Sequence, residues 1–120
     1  MIHEFDPVIF PFKLWIEIGK ETFTTDFSLF QDDGILVVST NNRARTYCVY
    51  RNSDQKVGIL IYSPKKKYMD INTIAHEARH AGDMLFELIG DEPQHSEPAA
   101  YFTGWVAECI DKVRRYKKSG

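Results

Sequence analysis

The sequence predicts one α+β domain over residues 1–120, with a small, mostly antiparallel sheet from the first half covered by two or three helices from the second. Three observations carry this. Short runs of alternating apolar and polar residues fill the first half, as in Leu14, Ile16 and Ile18 against Lys13, Trp15 and Glu17. Turn-forming clusters separate these runs. From residue 70 onward the apolar residues recur instead at three- and four-residue spacing, the period of a helix buried on one side.

Residues 1–12 read as an extended start, because Pro7 and Pro11 disfavour helix at and before their positions. Residues 13–19 read as a strand. Residues 20–34 are ambiguous: Phe23, Phe27 and Phe30 have helical spacing, while the threonines favour strand. Asp32-Asp33-Gly34 is a turn, residues 35–40 a short apolar strand, and Asn41-Asn42 a second turn. Residues 45–51 form a further strand, with Tyr47 and Val49 opposed to Cys48 and Tyr50. Residues 52–55 make a hairpin connection, and residues 57–62, ended by Pro64, give the strongest strand pattern. Lys65-Lys66-Lys67 reads as a solvated loop.

Asp70 or Asn72 caps the next helix and Gly90 stops it. Its apolar stripe is Ile74, Ala78, Ala81, Leu85, Leu88 and Ile89. A last helix spans residues 96–117, with Ser96 as N-cap and Pro98 tolerated in its first turn. It buries Phe102, Val106, Cys109, Ile110 and Val113. Glu97, Tyr101, Gly104 and Glu108 form its opposite stripe. The two helices are expected to turn their polar stripes towards a shared cleft.

Composition sets bounds. Net charge is −2, with 43% hydrophobic and 27% charged residues, the profile of an ordinary soluble domain. No strong pull towards nucleic acid or membrane follows, and neither is expected as a partner. Cys48 and Cys109 are too few to make a disulfide framework, so reduced thiols in a cytoplasmic setting are expected. No basic region with a long apolar run opens the sequence, so neither a signal peptide nor a membrane span is expected.

The chemistry-bearing stretch is His76-Glu77-Ala78-Arg79-His80, an HExxH motif. Side chains four apart on a helix share a face, so the two imidazoles aim at one point suited to Zn2+. Glu77, one position round, is placed to act as general base towards a water at that point. At 100° per residue the histidines fall opposite the apolar stripe. A third ligand is then required, and Glu97 at the start of the last helix is the candidate, with His95 as runner-up.

The HExxH motif followed by a Glu-bearing helix resembles the zincin metallopeptidases, nearest the gluzincin branch. With Glu97-Pro98-Ala99-Ala100-Tyr101 and Gly104 on a compact second helix, it is similar to small peptidases encoded by bacteriophages and mobile elements. The resemblance covers residues 57–110. It implies a minimal zincin-like fold and a zinc-dependent metallopeptidase acting on peptide or protein substrates. It also implies that an edge strand near the metal, either 57–62 or its hairpin partner 47–51, pairs with an extended substrate. Two departures stand out. Tyr101 occupies the position where gluzincins often carry a polar residue that orients a ligand histidine. The metzincin branch is excluded, because Gly82 comes one residue early and Phe86 replaces the third histidine.

Tyr101 and His95 are candidates for stabilising an oxyanion, with Tyr101 the expected catalytic partner of Glu77. Asp83 and Glu108 are candidates for orienting the histidines. Two rival readings share the zinc site: a hydrolase of a non-peptide amide, and an inactive zinc-binding regulatory protein.

Overall fold

The structure, a computed structural model, describes residues 1–8, 10–30, 43–90 and 97–117, the side chain of Glu97 excepted. Five strands, β1 (Ile2–Phe5), β2 (Lys13–Ile18), β3 (Phe27–Leu29), β4 (Arg45–Arg51) and β5 (Val57–Ser63), precede two helices, α1 (Ile71–Leu88) and α2 (Glu97–Arg115). Single 3₁₀ turns lie at Phe23–Thr25 and Lys66–Tyr68. The expected strand at 35–40 and the turns at 32–34 and 41–42 fall outside the described residues.

The architecture is α+β, and the sheet is mixed, in the order β1-β2-β5-β4-β3. Its central pair, β2 and β5, is parallel, with Leu14 opposite Ile59 and Ile16 opposite Ile61. The other three pairings are antiparallel. A parallel neighbour cannot be joined by a hairpin. The chain therefore leaves β2, runs through β3 and β4, and returns as β5 between β2 and β4. This corrects the expectation of an edge strand: residues 57–62 lie between β2 and β4, and β3 covers 49–51 of their hairpin partner, so neither strand is the sheet edge.

Alternation sorts the central strands onto two faces. Leu14, Ile16, Ile59 and Ile61 point at the helices and join Ala78, Leu85, Phe102, Val106 and Ile110 in the larger core. Trp15, Leu60 and Tyr62 point the other way and pack with Phe23, Phe27, Tyr47 and Val49. Each fully buried aliphatic or aromatic side chain in these layers contributes about 1.5–3 kcal/mol. The second layer explains why Trp15 and Glu17, expected on a polar face, are buried. The Glu17 carboxylate, fully buried, accepts hydrogen bonds from the backbone N–H and hydroxyl of Thr22 and from the backbone N–H of Phe23, at 2.8, 2.6 and 3.2 Å. It thereby fastens the segment after β2 over the aromatic face.

The helices bury most of the expected stripes, except that Leu88 is half-buried and Ile89 is 39% exposed, while Phe86, outside the expected stripe, is buried. The Asp70 carboxylate caps α1 by accepting the Thr73 N–H at 2.8 Å, and Gly90 follows the helix at φ 76°. α1 lies over β4 and β5, and α2 over β2. The helices are antiparallel: Arg114 reaches the carbonyl of Met69 at 3.5 Å, while Phe86 and Phe102 meet edge to face with centroids 6.4 Å apart. Gly82 allows this approach, since a Cβ there would stand 2.6 Å from the Thr103 hydroxyl. No helix among the described residues is long and apolar enough to cross a membrane.

Gly58 is the tightest point of the sheet. A Cβ there would lie 2.2 Å from the Lys13 carbonyl oxygen and 2.6 Å from the Trp15 ring. Because backbone cannot yield as a flexible side chain does, Gly58→Ala should lower the unfolding free energy by about 3 kcal/mol, the upper end for overpacking. Urea denaturation monitored by tryptophan fluorescence checks this.

Candidate metal centre

Burial of Ile74, Ala78, Ala81 and Leu85 fixes the rotation of α1 about its axis. The same rotation sends His76 and His80 outward and Glu77 down beside β4. The two Nε2 atoms stand 3.0 Å apart, with the ring planes 83° apart. Two nitrogens bound at zinc distances to one tetrahedral ion would be separated by about 3.4 Å. The pair therefore already converges to within a few tenths of an ångström of a shared-ion geometry. The His76 side chain is 65% exposed, so a cation can reach it from solvent.

Glu77 differs from both histidines in being buried, with 5% of its surface exposed. Its Oε1 accepts a hydrogen bond of 2.8 Å from the Thr46 hydroxyl. Its Oε2 lies 3.9 Å from His76 Nε2. One carboxylate oxygen is thus held by the sheet, and the other is turned towards the imidazole pair. Thr46 escaped notice in the sequence. The only available signal was strand alternation, which places it with Cys48 on the helix-facing side of β4.

Two adjoining hollows of about 300 and 250 Å3 flank the motif and share Ala44, His76 and Glu77. The first continues to Thr46, His80 and Met84, the second to Arg43, Asn72 and Thr73. A larger hollow, about 600 Å3, opens on the opposite face of the sheet over Trp15 and Arg51. Among the described residues no histidine or cysteine lines it, so ligand chemistry and not size picks out the candidate metal site.

The expected cleft between the helices is not where the histidines point. From Gly82, which faces α2, His80 lies about 160° and His76 about 120° round α1, at 3.6 residues per turn. The cleft is instead bounded by α1 and the 43–46 segment. Tyr101 is not brought to it. That side chain is 76% exposed and shares a separate hollow with Ala100, Gly104, Trp105 and Glu108 on α2. Asp83 pairs with Arg79 at 3.2 Å and Glu108 with Lys112 at 3.9 Å, and among the described residues neither bonds to a histidine.

Glu97 opens α2, but its side chain lies outside the described residues, as does His95. Helix register bears on its backbone. Glu97 comes six residues before Thr103, the residue opposite Gly82. That sets it about 9 Å towards the C-terminal end of α1, at 1.5 Å per residue, whereas His80 lies on the other side of Gly82. Among the described residues, no three His, Cys, Asp or Glu side chains converge.

The cysteines offer no competing chemistry. Burial pushes the thiols of Cys48 and Cys109 up to about 11, so both stay protonated and weakly nucleophilic near neutrality.

Removal of the Thr46 hydroxyl leaves a buried carboxylate oxygen without its donor. Thr46→Val should therefore cost about 1–3 kcal/mol of stability, and Thr46→Ser should recover most of it. Paired urea titrations of the two variants provide the measurement. In comparisons with protein-family models, curated proteins and solved structures, nothing matches this chain.

Proposed function

We propose that this protein is a zinc-dependent hydrolase of peptide bonds, with His76 and His80 as metal ligands and Glu77 as general base. The observation that carries this reading is the 3.0 Å approach of the two Nε2 atoms beside a buried, singly anchored carboxylate. An imidazole pair on a helix face has many uses. A carboxylate held dry beside it, with one oxygen turned towards the pair, has few apart from moving a proton.

A zinc ion at this point supplies Lewis acidity to a water and to a peptide carbonyl. The protein groups do the rest. Thr46 holds Oε1 of Glu77 and so fixes the plane of the carboxylate. Oε2 takes the water proton and later delivers it to the leaving amine.

Glu97 is carried as third ligand by the sequence pattern, and the helix register weighs against it. Zinc stoichiometry decides. The parent should bind one zinc per chain, and His80→Ala should lose it. Zinc lost in Glu97→Ala assigns the third position to Glu97; zinc kept there and lost in His95→Ala assigns it to His95. Glu77→Gln should retain zinc and lower the cleavage rate of a peptide library by at least about a hundredfold, the lower range for a general base. Cleavage by Glu77→Gln at the parental rate would remove the base assignment.

A further inference from the structure

Lys65, Lys66, Lys67 and Arg43 are all exposed and stand around one aromatic ring. The Arg43 guanidinium carbon lies 5.4 Å from the Tyr68 ring centroid, and the ammonium nitrogens of Lys65 and Lys67 lie at 5.6 and 5.7 Å. Three cations within cation–π range of the same ring repel one another as well as being held by it. Among the described residues, compensating acid is sparse. Arg43 makes a 3.4 Å ion pair with Asp70, whose other oxygen is committed to the helix cap. Lys66 donates to the Tyr116 carbonyl at 3.1 Å, a neutral acceptor. Among the described residues, Lys65 and Lys67 have no carboxylate within ion-pair distance.

The cluster is anchored beside the HExxH cleft. Ser63, fully buried at the end of β5, lies 2.7 Å from the Arg43 carbonyl and 3.2 Å from the Lys65 carbonyl through its hydroxyl. The two cationic segments are thereby tied together. Arg43 in turn lines the hollow that holds His76 and Glu77. The whole chain carries a net charge of −2, so this concentration of positive charge at the cleft mouth is local and opposite in sign to the rest.

We propose that this cationic rim selects the substrate: the cleft takes a peptide with acidic residues on the side that leaves His76 past Arg43 towards Lys65 and Lys67. The proposal rests on the peptidase reading for its site and adds the class of substrate. A nucleic acid is the weaker match. Affinity for a nucleic-acid backbone grows with the number of phosphates neutralised, this rim offers four cations, and three of them lie within 5.4–5.7 Å of the Tyr68 ring on which a base would stack. The rim also acts at a distance. Positive charge at a cleft mouth raises the encounter rate of anionic ligands, and salt screens the effect within about 10 Å at 0.1 M.

The test separates binding from turnover. Full-length Glu77→Gln protein, loaded with zinc, is titrated by fluorescence anisotropy with three labelled probes of equal length: a peptide rich in Asp and Glu, the same peptide with Ser and Gln in their place, and single-stranded DNA. The acidic peptide should bind roughly tenfold tighter than the neutral one at low salt, with the preference lost at high salt. Lys65→Glu/Lys67→Glu, at exposed positions, should remove the preference without changing zinc content, and Lys65→Gln/Lys67→Gln should halve it or more. Equal binding of the two peptides, a preference that survives charge reversal, or tighter binding of the DNA would overturn the proposal. Charge-selective binding in a protein whose parent cleaves nothing would sink the peptidase reading alone. Cleavage indifferent to peptide charge would sink the substrate class alone.

Discussion

The hydrogen bond from Thr46 to Glu77 joins the sheet to the chemistry. It spans 31 residues of sequence and is possible only because α1 is rotated to press Ile74, Ala78, Ala81 and Leu85 onto the strands. A rotation of one residue step would carry Glu77 off Thr46 and turn a histidine into the core. Alanine at 78 and 81 and glycine at 82 allow close packing against the sheet on one side and α2 on the other. The apolar stripe thus determines more than stability. It sets which oxygen of one carboxylate is tied down and which faces the imidazoles.

How much of this was legible in the sequence follows from the range of each interaction. Strand and helix identities were legible because they repeat within a few residues: β2, β4, β5, α1 and α2 all lie close to where alternation or helical spacing put them. The Asp70 cap and the Gly90 stop are equally local. The parallel pairing of β2 and β5 was not legible, because nothing within either strand distinguishes a parallel from an antiparallel neighbour. The burial of Trp15 and Glu17 required knowledge that residues after β2 fold back as a second layer. Tyr101 shares a stripe with Glu97 on a helical wheel, yet a wheel does not say which way α2 faces, and contact through Thr103 leaves Tyr101 in solvent. Thr46 is the converse: an unremarked residue made important by a partner on another element.

Charge shows the same contrast between sums and positions. A net charge of −2 gave no strong pull towards nucleic acid or membrane, and a run of three lysines read as an ordinary solvated loop. In three dimensions Arg43 joins the run from a different segment, and the Tyr68 ring gathers three of the four cations. A net charge averages over the molecule, whereas a ligand at a cleft mouth responds to groups within about one Debye length. Several described acids are paired elsewhere, as Glu4 and Asp54 are with Arg51 and Asp111 with Arg114.

Burial of Glu77 is also what favours the proposed hydrolase over a site that binds metal alone. A regulatory zinc site needs ligands and gains nothing from an anion 5% exposed beside them. Burial of a carboxylate costs free energy unless its oxygens are satisfied, and here the sheet supplies one neutral hydroxyl. A glutamine would fill the same space, accept the same bond from Thr46 and carry no charge to desolvate. Retention of the acid therefore points to a task that requires a proton acceptor or a negative charge at Oε2. His76 Nε2 lies 3.9 Å away, and a cation seated there would repay part of the cost through attraction. On this argument the carboxylate, the imidazoles and the proposed zinc form one unit. In the proposed reading the charge of Glu77 would be tolerated because of the cation and would be useful because a water between them would have a proton to lose.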